Sequence, residues 1–224
     1  MAEFDRFSSN YEQVLSESLV IGGGEPEFFH RGKALLIRNV LGSDFSGDLL
    51  DFGCGTGGLL RKLAEFLPAA ALYGYDPSEP CIQRAASIPG VRQATSSETA
   101  LSAASADVVL IANVLHHIVP EERNDVLRRV WNYLRPGGKV IVFEHNPYNP
   151  LTRDVVRRCP FDEGVVLLRP AEVKRRLRAT GAVRVEQRYT TFFPSWVRAL
   201  QPLERHMGWL PLGAQTCSVG HKRR

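Results

Sequence analysis

The residues best suited to chemistry lie in Leu49-Leu50-Asp51-Phe52-Gly53-Cys54-Gly55-Thr56-Gly57-Gly58-Leu59-Leu60. An apolar run ends in a carboxylate, glycines follow at short intervals, and leucines resume at helical spacing. That order reads as strand, turn and helix start. Gly53, Gly55, Gly57 and Gly58 leave the backbone bare where a ligand must approach. The helix start offers unpaired N–H groups and the positive end of its dipole. The turn is therefore a pocket for a nucleotide-like ligand. Gly53, Gly55 and Gly58 satisfy GxGxxG, and Asp76 lies eighteen residues after Gly58, which also fits a dinucleotide fold. Asp51 argues against NAD. It stands two residues before the first glycine, where a dinucleotide fold usually keeps an apolar residue. A carboxylate there accepts hydrogen bonds from an ammonium group, which NAD lacks.

The elements that must position these residues follow from periodicity. Asp48 to Phe52 is the first strand, and Leu59, Leu60, Leu63, Phe66 and Leu67 form the buried stripe of the helix after the turn. Upstream, Phe29, Leu36, Ile37, Val40 and Leu41 predict a helix over 28–41, and a short helix is expected near Tyr11 to Leu19. Ala71 to Tyr75 is a second strand ending at Asp76-Pro77-Ser78. A short helix over 80–86 and a strand over 91–94 come next. Asp107 to Ala112 is a continuous apolar run, as in a strand covered on both faces. Pro120 is expected to open a helix with Glu121 and Glu122 in its first turn. Arg135-Pro136-Gly137-Gly138 reads as the turn before a strand at Lys139 to Phe143. Strands and helices thus alternate at βαβ spacing, which predicts a parallel sheet with helices on both faces.

After Glu144 the pattern changes. Residues 146–168 read as a long, proline-containing connection, 170–180 as a helix, 183–189 as an exposed strand, 192–212 as a second irregular stretch, and 215–220 as a last strand. Two late strands without a crossover helix predict an antiparallel hairpin. The fold class is therefore α/β, Rossmann-like: a mostly parallel seven-stranded sheet ending in a C-terminal antiparallel hairpin.

Composition sets the outer limits. A chain of 224 residues is expected to form one domain, 1–224. No run of about eighteen apolar residues occurs, so no transmembrane helix and no stable membrane insertion are expected. Residues 1–6 lack the basic head and apolar core of a signal peptide, so a cytoplasmic location is expected. The four cysteines (Cys54, Cys81, Cys159 and Cys217) form no CxxC pair; reduced thiols and no metal site are expected. The net charge of +4 is modest, and its basic clusters lack interleaved aromatics, so nucleic acid is not an expected partner.

Four segments together resemble the class I S-adenosylmethionine-dependent methyltransferases of the small-molecule type. They are Leu50 to Gly57, Gly74-Tyr75-Asp76-Pro77-Ser78, Asn113-Val114-Leu115-His116-His117-Ile118 and Leu134 to Gly138. The resemblance covers residues 36–145, which it marks as the cofactor-binding core. It implies that Asp51 and the backbone of Gly53, Cys54 and Gly55 hold the methionyl end of S-adenosyl-L-methionine. It implies that Asp76 takes the ribose hydroxyls, with Pro77 near the adenine. Ser97 and Glu98 are implied at the adenine edge, where this chain departs from the family's usual aspartate at Ser96. Asn113 is implied to face the sulfonium, and Tyr11, with Phe7, to belong to a lid formed by residues 1–30.

A hydroxyl or carbon acceptor needs a base, whereas an amine needs only to arrive unprotonated. His117 and the pair Glu144 and His145 are the candidates, with His116 weighed beside them; all follow strands four and five, where ligands of open sheets bind. The segments 146–168 and 192–212 are expected on the substrate side. Arg153, Arg157 and Arg158 are candidates to grip an anionic group there, and Tyr148 to close the same wall. The second segment is rich in large apolar groups, which suits a lid over a greasy or aromatic part of a small or lipid-like substrate, a membrane-surface contact, a subunit interface in a homodimer, or a buried helix. The competing readings are an NAD-dependent oxidoreductase and a cofactor-binding scaffold without catalysis.

Overall fold

In the computed structural model, which describes residues 25–224, seven strands form one sheet in the order β3-β2-β1-β4-β5-β7-β6. The strands are β1 (Asp48–Phe52), β2 (Ala71–Tyr75), β3 (Val91–Thr95), β4 (Ala106–Ala112), β5 (Leu134–His145), β6 (Arg184–Thr190) and β7 (Gln215–His221). The first five pair in parallel, and β7 lies antiparallel between β5 and β6. The expected parallel sheet and closing hairpin are both present. The expected helix near Tyr11, with residues 1–24 of the expected lid, falls outside the described residues, whereas residues 26–30 of that lid are helical.

Side chains alternate along each strand, and this splits the core in two. Leu50, Phe52, Val109, Ile111, Val140 and Val142 face one layer, which holds α4 (Arg123–Tyr133) and α6 (Pro170–Ala179). Leu49, Leu72, Val108, Leu110, Ile141 and Phe143 face the other. There they meet α1 (Pro26–Leu41), α2 (Gly58–Phe66) and α3 (Glu79–Ala86). Every central strand is buried on both faces, as its unbroken apolar run requires.

Three local expectations change. First, Arg135 to Gly138 does not precede β5 but lies within it. The register jumps from Ala106 opposite Leu134 to Val108 opposite Lys139, so these residues bulge outward. Arg135 there bridges Asp48 and Asp107, at 2.7 Å to each, and ties together the starts of β1, β4 and β5. Second, Pro120 to Glu122 form a turn, and α4 starts at Arg123. The buried Arg123 guanidinium donates to the carbonyls of Ile118 (2.9 Å) and Val166 (2.5 Å), pinning the turn outside the helix.

Third, the connection over 146–168 contains a helix, α5 (Pro150–Arg158). Its two buried valines, Val155 and Val156, are too few to print a period, but Asn149 caps it: Oδ1 accepts from the N–H of Thr152 at 3.0 Å. The Asn149 amide also donates to the Leu212 carbonyl at 2.7 Å. Asn149→Ala should therefore lower stability by about 1–2 kcal/mol, read as a shift in the urea midpoint at constant slope. A change within experimental error would mean that the cap contributes nothing.

Candidate active site

The carboxyl ends of β1, β2, β4 and β5 come together where the strand order reverses, between β1 and β4. Open sheets leave a crevice at such a point, and here it holds a cavity of about 620 Å³. The glycine turn forms one rim. The N–H groups of Gly53 and Cys54 both donate to the Tyr75 carbonyl, at 2.7 and 2.9 Å, which fastens the turn to β2. Gly53 has φ +82°, and a Cβ on it would fall 2.5 Å from Val114 Cγ2. Gly55 has φ +52° with nothing within 4 Å of where a Cβ would lie. Its bare backbone faces open space in the cavity wall. Asp76 crosses from the end of β2 to this turn. Its Oδ2 accepts the Gly55 N–H and its Oδ1 the Ser78 N–H, both at 2.9 Å.

Asp51 and Asn113 line the floor. Asp51 is 1% exposed, and its Oδ1 has no hydrogen-bond partner among the described residues. Burial pushes its carboxyl up to about 7, against the charge of Lys33, which pulls the other way. Lys33 is itself buried on the inner face of α1; burial pulls its ammonium down to about 8, opposed by Asp51 and Glu144. Asn113 adopts φ +59°, a conformation asparagine tolerates better than most residues. Its N–H donates to the Phe143 carbonyl at 2.9 Å, and its Oδ1 is also buried without a partner among the described residues. Two orphaned acceptors thus line one cavity, an arrangement that stays costly until a donor arrives.

Histidines form the opposite wall. A 3-10 turn at Leu115–His117 follows β4. His116 Nδ1 lies 2.6 Å from Glu144 Oε2, while Glu144 Oε1 accepts the Leu115 N–H at 2.8 Å. Burial pulls the His116 imidazole down, but the carboxylates of Glu144 and Asp162 outweigh it and raise it to about 9. His117 is lowered to about 4, first by burial and then by the neighbouring His116 charge. His145 falls to about 3 for the same two reasons. His116, His117 and His145 line the cavity and Glu144 does not. Adjacent residues of a strand point to opposite faces, so of Glu144 and His145 only one could face it.

The other expected residues divide. Cys54, Pro77 and Glu98 line the cavity. Glu98 accepts from Arg129 Nε and the Tyr133 hydroxyl, each at 2.8 Å. Ser97 is exposed, outside the lining, and shares a 2.7 Å hydrogen bond with Thr99. Ser96 bonds to the Glu79 carboxylate. Tyr11 lies outside the described residues. Arg153, Arg157 and Arg158 are exposed and outside the lining; Arg157 and Arg158 pair with Asp154. Tyr148 is also exposed and outside it. Of the two late segments, 146–168 supplies Leu151, Thr152, Val155, Cys159, Phe161 and Asp162 to the wall, and the described side chains of 192–212 supply none.

Lys33 and Asp162 are among the lining residues that a reading of the sequence misses. Lys33 left a signal: it lies four residues from both Phe29 and Ile37, so a cation sits on the apolar stripe of α1. Asp162 left none, because only tertiary structure brings it to His117.

Comparison with known proteins agrees with this geometry. A family profile described as a methyltransferase domain matches residues 50–140. Trans-aconitate 2-methyltransferase of Mycobacterium tuberculosis is 31% identical over 161 residues, covering 64% of this chain and 59% of that one. An uncharacterized methyltransferase of Geobacillus is 28% identical over 109 residues, covering 47% and 50%. The chain spans about half the length of the curated relatives it matches. Among solved structures, a methyltransferase from Thermotoga maritima, described as a possible histamine N-methyltransferase, shares the fold with a TM-score of 0.70. Its identity is 20%, and 98% of each chain is covered. Sheet order, glycine turn and profile match agree: residues 50–140 match a methyltransferase domain, and the sheet that carries them is Rossmann-like.

Proposed function

We propose that the protein transfers the methyl group of S-adenosyl-L-methionine to an oxygen, nitrogen or carbon atom of a small or lipid-like metabolite. The observation that carries this reading is the buried Oδ1 of Asp51, without a partner among the described residues, beside the bare backbone of Gly55. A carboxylate so placed wants a cationic donor, and the cofactor's methionyl ammonium is one; a nicotinamide dinucleotide offers none. The residues therefore fit the group. Asp51 and the Gly53–Gly55 backbone would hold its amino-acid end, Asp76 its ribose, Pro77 and Glu98 the neighbourhood of its adenine, and Asn113 the sulfonium. The bound cofactor supplies a methyl already activated on a sulfonium, so the chain has only to orient an acceptor and exclude water. His117 and His145 border the acceptor side in this reading. Glu144 is a positioning residue, acting through His116.

Calorimetric titration with S-adenosylhomocysteine, run beside NAD, tests the proposal. Binding of NAD with no response to S-adenosylhomocysteine would overturn it. The pH dependence sharpens the test. Below pH 7 the Asp51 carboxyl of the ligand-free chain is protonated; above, it is charged. Affinity for S-adenosylhomocysteine should rise roughly ten-fold from pH 6 to pH 8, and Asp51→Asn should flatten the rise. Ligand-free stability runs the opposite way. The raised pKa means the folded chain keeps a proton that the unfolded chain releases, so this group's contribution falls as pH climbs from about 4 to about 7. An affinity independent of pH would remove Asp51 from the ammonium site.

A further inference from the structure

His116, His117 and Asp162 bring one ligand atom each to within 4.8 Å of one another, on the wall opposite the glycine turn. The Asp162 Oδ1 lies 3.5 Å from His116 Nε2 and 3.4 Å from His117 Nε2. Those separations are long for a charge-assisted hydrogen bond, which runs at about 2.7–2.9 Å. They match the spacing of neighbouring ligands around an ion with bonds of about 2.0–2.2 Å. Glu144 completes the arrangement from behind. It grips His116 Nδ1 at 2.6 Å and is itself fixed by the Leu115 N–H at 2.8 Å. A carboxylate on one ring nitrogen sets the tautomer and leaves the other nitrogen to a metal, the usual support for a ligating histidine.

We propose that His116 Nε2, His117 Nε2 and Asp162 Oδ1 form a binding site for a first-row divalent transition ion, oriented by Glu144. Two imidazoles and one carboxylate suit zinc, cobalt, nickel, iron or manganese rather than magnesium or calcium, which prefer all-oxygen shells. Three protein ligands leave positions open, and the site lies in the cavity wall. An oxygen-bearing acceptor could complete the shell and have its hydroxyl made more acidic by the ion. That use rests on the methyl-transfer reading; the binding of the ion does not. The site draws on histidines from one turn and an aspartate 45 positions beyond His117, so it has no cysteine spacing to betray it.

The test is a titration of Co(II) into the untagged, chelator-treated chain, followed by its visible ligand-field absorption. One equivalent should bind, with a spectrum that Zn(II) abolishes by displacement and Mg(II) leaves unchanged. Asp162→Asn and His117→Gln should each weaken Co(II) by more than about 100-fold, and Glu144→Gln by about 10- to 100-fold. His117 and Asp162 are partly exposed, and circular dichroism of each variant confirms that it is folded. Absence of stoichiometric binding, or affinity unchanged in folded Asp162→Asn and His117→Gln, would overturn the site and leave the cluster as an ion-pair network. S-adenosylhomocysteine affinity, measured on the same wild-type sample, reports on the methyltransferase reading separately.

Discussion

Asp76→Ala should weaken S-adenosylhomocysteine binding by at least about 100-fold, or roughly 2.7 kcal/mol. The substitution removes a carboxylate that holds the glycine turn at Gly55 and the start of the next helix at Ser78. Asp76 thus bonds its local backbone, and this adds to the expected role at the ribose. Each carboxylate oxygen has a second lone pair, so the residue can hold the turn and still accept a ligand hydroxyl. The two roles separate experimentally. If Asp76 only shapes the turn, stability and affinity fall together. If it also meets the ribose, adenosine, which lacks the methionyl group, loses affinity by a similar factor. Wild-type affinity for both ligands in Asp76→Ala would reject the assignment.

Glu144→Ala should lower the stability of the metal-free chain by about 3–5 kcal/mol. Glu144 is 1% exposed and His116 2%, so their 2.6 Å contact is well shielded from water. Removing one partner strands the other, and the Leu115 N–H loses its acceptor as well. Glu144→Gln, which keeps acceptor and donor capacity in nearly the same volume, should lose less. Urea denaturation of both variants checks the order. A loss below about 1 kcal/mol for the alanine variant would mean that the pair is not a supporting element of the histidine wall.

The part of the cavity around the glycine turn could be read from the sequence because its elements are local. Asp51, Gly53 and Gly55 sit within five residues, and a strand, a turn and a helix are each announced by periodicity. Asp76 and Asn113 could be placed because they end strands whose order the βαβ rhythm sets. The histidine wall was less legible, since its groups meet only through tertiary contacts. Asp162 follows a helix too short to print a pattern, and Glu144 read as a facing carboxylate until strand alternation assigned that place to His145. Lys33 shows the intermediate case: its position on an apolar stripe was visible, but the carboxylate it faces lies on another element.

The place of β7 has a consequence for how the chain comes together. Strands β1 to β5 and their helices occupy residues 48–145, a nearly sequential block that can pair as it leaves the ribosome. Of the seven described strands the one that covers β5 is encoded last, and β6, made earlier, pairs among the described residues with β7 alone. Until residues 215–221 emerge, the nascent sheet ends in an open β5 edge. An unpaired, apolar edge of that kind is where aggregation begins. Pairing of the β5 and β6 edges through β7 must therefore wait for residues 215–221. Synthesis that stalls before residue 215 should leave a chain that depends on chaperones, although the segments that shape the glycine turn are already made.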